Sequence, residues 1–231
     1  MRKFISILAI IALLGVMLFM LTGCGTKEDT NTPNNGGTTT NSGNNTAGES
    51  FEYGQNYIDN HLKGDYWIAY NLTTYENGES DSSTIEIKKT DAGYYFSQNG
   101  SEGLFIKNGD KYDMYNGSDG EYTKSEYMQY DKDYVELMMN AYTMYMTSYV
   151  GYANALSKSG TDTIAGRDCD VYKMDYNHPM YNYQYKYTYY IDKDTGVGLK
   201  FSMDLSGSGQ KMGVEFEATK FQTSGVSLPN Y

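Results

Sequence analysis

The sequence predicts an α+β domain in which one long helix lies across an antiparallel sheet. Short alternating runs separated by Asn-Gly, Asp-Gly and Gly-rich turns recur about every 8–12 residues, which is typical of antiparallel strands. One stretch between two groups of such runs instead carries apolar side chains at helical spacing. Because a helix inserted into a meander most simply covers the apolar face of the sheet, the fold class that follows is α+β.

About ten strands are predicted, in two groups. The first group lies near 66–75, 83–89, 93–98, 103–107, 111–116 and 120–124, and the second near 168–176, 181–191, 197–206 and 210–222. The turns of the first group are predicted at Glu76-Asn77-Gly78, Asn99-Gly100, Asn108-Gly109-Asp110 and Asp119-Gly120. The clearest strand is 197–206, where apolar and polar residues alternate, so we expect one buried face and one solvated face.

The helix is predicted from Asp131 to Leu156. Its apolar and aromatic side chains are Val135, Met138, Met139, Tyr142, Tyr145, Met146, Tyr149, Tyr152 and Leu156. Ser125 or Asp131 is a suitable cap for its start, and Ser159-Gly160 is a suitable stop. One side of this helix should therefore pack on the sheet.

The N-terminus has the pattern of a bacterial export signal. Met1-Arg2-Lys3 carries two positive charges and precedes an uncharged run, Phe4–Leu21, which leads into Leu21-Thr22-Gly23-Cys24. These last four residues match the lipobox of bacterial lipoproteins, so residues 1–23 are predicted to be a signal peptide cut before Cys24. The alternative is an uncut transmembrane anchor, since the run is long enough to cross most of a bilayer.

Residues 25–50 consist almost entirely of Thr, Asn, Gly and Ser, which cannot bury enough apolar surface to fold. They are predicted to form a disordered tether with a reach of about 30 Å. The chain thus divides into a signal peptide (1–23), a lipidated cysteine with its linker (24–50) and one folded domain (51–231). This layout implies a protein held by diacylglyceryl-Cys24 on the extracytoplasmic face of the cell membrane. The long Asn/Thr/Gly tether favours a Gram-positive cell; the alternative is a Gram-negative cell in which Lys27-Glu28-Asp29 is a surface-export tag.

The charge of the chain excludes one class of partner. Without residues 1–23, which hold Arg2 and Lys3, 16 of the 18 Lys and Arg remain against 29 Asp and Glu, a net charge near −13. Nucleic acid binding requires a basic surface, and no basic stripe occurs in the sequence. The membrane contact is therefore expected to be made by the lipid alone.

One cysteine remains after lipidation of Cys24. Cys169 stands in Arg167-Asp168-Cys169-Asp170, among carboxylates that raise rather than lower the pKa of a thiol. It is predicted to be a buried, unreactive side chain.

Tyrosine dominates the folded part, because all 26 tyrosines follow residue 50. Five of them form an alternating ladder at Tyr181, Tyr183, Tyr185, Tyr187 and Tyr189. With Met138, Tyr142, Tyr145 and Tyr149 of the helix, this ladder is the candidate lining of a pocket for a hydrophobic or amphipathic ligand. The alternative is that the rings pack under the helix, as aromatic pairs do in any half-buried sheet.

No motif in the sequence indicates a catalytic site, a metal site or a cofactor. The two histidines, His61 and His178, lie near no nucleophile motif and in no zinc spacing. Asp192–Gly196 resembles the start of a calcium loop, but its glycine comes one position early and Met203 stands in place of the final Glu, which favours a hairpin turn. A hydrolase built on two carboxylates stays open, since the chain has 29 acids.

Two segments resemble a known family. They are Ile164-Ala165-Gly166-Arg167-Asp168-Cys169-Asp170-Val171-Tyr172 and Tyr189-Tyr190-Ile191-Asp192-Lys193-Asp194-Thr195-Gly196-Val197-Gly198-Leu199-Lys200. They are similar to a strand and a hairpin of bacterial outer-membrane-lipoprotein-carrier-like (LolA/LolB-like, LppX/LprG-like) domains. The resemblance spans roughly residues 65–222. It implies a curved antiparallel half-barrel with a helix over its concave face, and a non-enzymatic cavity for acyl chains or another hydrophobic ligand.

Three hypotheses for the function follow. The first is a non-catalytic, surface-tethered protein that binds a hydrophobic or amphipathic ligand in a Tyr/Met-lined cavity. The second is a module with a packed core whose exposed tyrosines bind a glycan or a protein. The third is the carboxylate-based hydrolase.

Overall fold

The structure, a computed structural model, describes residues 51–178, 183–207 and 209–231, without the side chains of 127, 128, 140–142 and 178. The predicted signal peptide, Cys24 and the linker lie outside these residues. The elements in chain order are α1 (Gln55–His61), β1 (Tyr66–Glu76), β2 (Glu79–Thr90), β3 (Gly93–Gln98), β4 (Ser101–Asn108), β5 (Lys111–Ser118), β6 (Glu121–Asp131), α2 (Lys132–Thr147), a 3-10 helix (Ser148–Ala155), β7 (Ser157–Ile164), β8 (Arg167–His178), β9 (Tyr183–Asp192), β10 (Gly198–Gly207) and β11 (Gln210–Gln222). None of the three described helices is long and apolar enough to span a bilayer.

The described strands form one antiparallel sheet of eleven, in the order β6-β5-β4-β3-β2-β1-β11-β10-β9-β8-β7. The strand β1 lies in the middle and pairs with both β2 and β11. The sheet therefore consists of two meanders, β1–β6 and β7–β11, which are joined by the pairing of the first strand, β1, with the last strand, β11. The connection from β6 to β7 leaves the sheet and runs from one edge to the other through α2 and the 3-10 helix.

The antiparallel sheet and the turns of its first half are confirmed. Asn77-Gly78, Asn99-Gly100 and Asp119-Gly120 each have two successive residues with positive φ, the backbone that two-residue hairpin turns require. Asn and Asp enter this conformation more readily than other side chains. Short-range turn chemistry thus determined the register of these hairpins.

The strand β7 was not predicted, and the expected helix stop at Ser159-Gly160 is wrong, because these residues lie within β7. Seven of its eight residues are exposed, with Ile164 buried. A strand with so little to bury carries no alternation of apolar and polar residues. Pairing with β8 alone makes it a strand.

The single long helix from Asp131 to Leu156 is also wrong. The α-helix ends at Thr147 after 16 residues, and Ser148–Ala155 continues as a 3-10 helix. Val150 and Gly151, which have low helix propensity, lie in this second part. A 3-10 helix rises about 2.0 Å per residue instead of about 1.5 Å, so it carries the chain further toward the distant edge strand.

The second half of the sheet is curved. Four strand spacings separate β7 from β11, about 19 Å in a flat sheet, yet Cα atoms of the two strands approach within 8 Å. The guanidinium of Arg167 at the start of β8 likewise lies 5.7 Å from the ring of Phe221 at the end of β11. The face of β7–β11 that bears the core is therefore the inside of the curl.

Candidate functional site

Alternate residues of β8 and β9 form one aromatic surface, called the tyrosine face below. Tyr172, Met174 and Tyr176 of β8 stand opposite Tyr189, Tyr187 and Tyr185 of β9. The members of this face are Tyr172, Met174, Tyr176, Tyr183, Tyr185, Tyr187 and Tyr189. Side chains alternate between the two faces of a strand, so the four described tyrosines of the predicted ladder, Tyr183 to Tyr189, lie on the same side of the sheet.

The inner end of the tyrosine face is packed. Tyr189 is 1% exposed and lies 6.2 Å from the ring of Tyr149, while Tyr187 lies 5.6 Å from the ring of Tyr152. Burial raises the pKa of Tyr187 and of Tyr189 above the usual phenol range, because a phenolate here would lose its hydration. These rings are neutral at physiological pH and act as core side chains.

Two predicted helix residues complete this packing. Tyr145 lies 4.4 Å from the ring of Phe216 on β11. The hydroxyl of the fully buried Tyr149 donates a hydrogen bond to the carbonyl oxygen of Gly196. Both rings therefore fill the space between the helical connection and the sheet.

The outer end of the tyrosine face is open. Tyr176 is 46% exposed, and Tyr183 and Tyr185 are half-buried. The rings of Tyr176 and Tyr185 lie 5.9 Å apart, and those of Tyr185 and Tyr187 are nearly parallel at 6.2 Å. A continuous row of rings thus leads from solvent to the core.

The remaining candidate residues are placed as follows. Met138 is half-buried and packs against the core cluster. Tyr181 lies outside the described residues, and Tyr142 lies in α2 with its side chain outside the described part.

Aromatic residues at the start of the domain also pack at the inner end, which was not predicted. Phe51 lies 4.9 Å from the ring of Tyr172 and 5.8 Å from that of Tyr149, and Tyr53 is 5% exposed. The available signal was the sudden return of aromatic residues at Phe51, Tyr53 and Tyr57 after a linker without any.

A buried carboxylate adjoins these rings. Asp170 is 6% exposed and lies two residues before Tyr172 in β8, on the same face of the sheet. Its Oδ2 accepts a hydrogen bond of 2.9 Å from the Tyr53 hydroxyl and lies 3.2 Å from Nζ of Lys158. Its Oδ1 is buried without a hydrogen-bond partner, with Nζ of Lys193 at 3.8 Å.

The turn at Asp192–Gly196 is confirmed as a hairpin turn. The amide of Gly196 donates to the carbonyl oxygen of Asp192 at 2.8 Å. The Asp192 carboxylate, 1% exposed, accepts two hydrogen bonds of 3.0 Å from Arg167 and a third from the Thr195 hydroxyl at 2.6 Å. These bonds occupy the oxygens that a calcium ion would require.

The burial predicted for Cys169 is confirmed. Its side chain is fully buried, and burial raises the pKa of the thiol to about 12, with the nearby Asp192 adding to the shift. Within residues 51–178, 183–207 and 209–231, no three His, Cys, Asp or Glu side chains group as metal ligands.

An open groove of about 520 Å³ lies elsewhere, between the C-terminal segment and the β2–β3 turn. Asp65, Thr90, Asp91 and Val226–Tyr231 are among its lining residues. It contains no residue of the tyrosine face, so the two features are separate.

No protein-family model and no curated protein matches the sequence. Among solved structures, the chain is similar to MucB in complex with MucA(peri), at 17% identity over 76% of this chain and 56% of that chain, with a TM-score of 0.35. Lipoprotein LppX of Mycobacterium tuberculosis matches at 11% identity over 69% and 88%, with a TM-score of 0.32. An outer membrane lipoprotein-sorting protein domain from Vibrio parahaemolyticus matches at 11% over 74% and 92%, with a TM-score of 0.23. The chain spans little more than half of MucB, and TM-scores this low do not establish a shared fold.

Proposed function

We propose that this protein is a non-catalytic, membrane-tethered binding protein that holds an amphipathic ligand on the open end of its tyrosine face. The observation that carries the proposal is the row of rings that begins at the 46% exposed Tyr176 and continues through Tyr185 to the buried Tyr187. Asp170 and Asp192 are ion-paired with basic side chains, which supports binding rather than hydrolysis.

The chemistry of the face selects the ligand class. Each phenol offers an apolar ring and a polar tip, and Met174 adds a flexible, polarizable side chain. The strongly acidic chain repels anionic molecules at long range. The ligand that fits is therefore a neutral or cationic molecule with an apolar chain or ring.

The first prediction concerns the two rings that form the open end. Replacing both Tyr176 and Tyr185 by Ala should weaken binding of a single-chain primary amine by about tenfold or more, as expected for loss of aromatic anchors. Affinity is measured by displacement of an environment-sensitive fluorescent amphiphile from the folded domain 51–231.

The matched control is Tyr134→Ala. Tyr134 is 48% exposed, close to the exposure of Tyr176, but it lies on α2 and stacks on Tyr130. Its replacement should leave the affinity unchanged. Absence of displacement from the unmodified domain, or equal losses in both variants, would contradict the proposal.

A second candidate is a glycan-binding module with a packed core. It is favoured by the burial of Tyr145, Tyr149 and Tyr189, which leaves the outer rings as the binding surface. Sugar rings stack on exposed phenols in the same way as other amphipathic molecules. Glycan-array binding that disappears in the Tyr176/Tyr185 variant, without amphiphile displacement by the unmodified domain, would select this candidate.

The second prediction concerns the anchor. We propose that Cys24 carries the lipid and holds the protein on the extracytoplasmic face of the membrane. In a bacterial host, the Cys24→Ser precursor should incorporate no alkyne-labelled fatty acid, because the thiol that accepts the lipid is absent. The Cys169→Ser precursor is the matched control and should be labelled normally. Label retained in the Cys24→Ser precursor would refute the assignment.

A further inference from the structure

The first described residues of the domain fill the inner end of the tyrosine face. This segment, Phe51–Leu62, is called the plug. Phe51 inserts between the rings of Tyr149 and Tyr172, and Ile58 is 5% exposed. The plug thus occupies the place into which a ligand on the outer rings would extend.

The plug is joined to the sheet by side chains. Among the described residues, no backbone-to-backbone hydrogen bond links it to a strand, and its two turn bonds, Ile58 to Gly54 and Leu62 to Ile58, are internal. Its helix α1 has seven residues and no side-chain cap, and helices this short are marginal without tertiary contacts. Two phenols donate to the sheet, Tyr53 to Asp170 and Tyr57 to the carbonyl oxygen of Lys193 at 2.7 Å. Displacing the plug therefore breaks few directional bonds.

The Asp170 carboxylate can accept a further hydrogen bond. A buried carboxylate oxygen without a hydrogen bond is costly, and Oδ1 of Asp170 is in this state. Its Oδ2 points at the plug, because it accepts the Tyr53 hydroxyl. A ligand that brings a further N–H or O–H to Oδ1 would satisfy this carboxylate more fully than the Tyr53 phenol and the ion pairs with Lys158 and Lys193 do.

We infer that the inner end of the tyrosine face is a binding pocket that the plug occupies in this structure, and that its ligand is an amphiphile whose amine or hydroxyl head replaces the Tyr53 hydroxyl on Asp170. The inference rests on the proposed function and adds the head group and a competing segment of the chain itself. The apolar part of the ligand takes the space of Phe51 and Ile58 and runs outward along Tyr187 and Tyr185.

The direct test is hydrogen exchange of the unmodified domain with dodecylamine, dodecanol or dodecanoate as probe. Saturating dodecylamine should speed amide exchange in residues 51–62, because the ligand displaces the plug. Lys158 and Lys193 already balance the charge of Asp170, so the number of donors decides the order. Affinities should fall from amine to alcohol to carboxylate, because an ammonium brings three N–H donors to Asp170, a hydroxyl brings one and a carboxylate brings none. If dodecylamine binds but amide exchange in the plug is unchanged, the inference is overturned. The proposed function still stands in that case if the Tyr176/Tyr185 variant no longer binds dodecylamine.

Two variants test the competition. Phe51→Ala with Tyr53→Phe weakens the plug and should raise the affinity for dodecylamine about tenfold, because the competent state becomes more populated. In that background Asp170→Asn should remove most of the preference for amine over carboxylate. Asp175→Asn, exposed on the same strand, is the control and should keep the preference. Equal affinities in all these variants would overturn the inference; binding that appears only after the plug is weakened would support it and refute binding at the open end.

Discussion

The protein should unfold cooperatively between about pH 10.5 and 12, because its core holds phenols that cannot ionise in place. Five of the tyrosines that have raised pKa values and are less than 9% exposed are Tyr66, Tyr70, Tyr149, Tyr187 and Tyr189. Below about pH 10 the folded and unfolded phenols are both protonated, so the stability is complete. Above it the unfolded chain loses protons that the folded chain keeps, which costs about 1.4 kcal/mol per pH unit for each phenol.

The sum is large compared with the stability of a domain. Five phenols give about 7 kcal/mol per pH unit against a typical free energy of unfolding of about 5–15 kcal/mol. The experiment follows tyrosinate absorbance together with the fluorescence of Trp67, the single tryptophan. Both signals should change in one steep transition.

The control compares two phenylalanine variants. Tyr189→Phe removes one buried ionisable phenol and should make the alkaline transition less steep. Tyr134→Phe removes a hydroxyl from a side chain that is 48% exposed and should leave the steepness of the alkaline transition unchanged. A gradual titration of the tyrosines near pH 10 with unchanged Trp67 fluorescence would contradict the prediction.

Gly93→Ala should destabilise the domain by about 4 kcal/mol, which is exceptional for adding one methyl group. Gly93 begins β3 with φ +149°, a conformation that side chains rarely adopt. A Cβ there would lie 2.0 Å from the carbonyl oxygen of Phe105, which belongs to the backbone of the paired strand β4 and cannot rotate away. Urea unfolding followed by Trp67 fluorescence measures the loss.

Gly100→Ala is the matched control in the turn that follows the same strand. Gly100 also has positive φ, +83°, but no atom lies within 4 Å of the Cβ position. Only the backbone conformation is strained, so the expected loss is about 1–2 kcal/mol. Equal losses in the two variants would show that the clash at Gly93 is relieved by movement of β4.

Local signals predicted much of the fold because they need no partner. Asn77-Gly78 and Asn99-Gly100 specify hairpin turns through their own backbone preferences, and 197–206 shows its two faces by alternation. The common face of Tyr183, Tyr185, Tyr187 and Tyr189 could also be predicted, because it follows from the alternation of side chains along one strand. The α1 segment was missed because seven residues carry too short a pattern, and β7 was missed because it buries almost nothing.

The antiparallel strands, their turns and the common face of the tyrosines follow from the sequence, since they depend on neighbours along the chain. Which tyrosines are core and which are surface depends instead on tertiary contacts. Tyr189 and Tyr176 belong to the same face, yet one is 1% and the other 46% exposed. The difference arises from α2, the 3-10 helix and the plug, which cover the inner end alone. Coverage depends on contacts between residues far apart in the chain, such as Tyr53 with Asp170, and no local pattern encodes them.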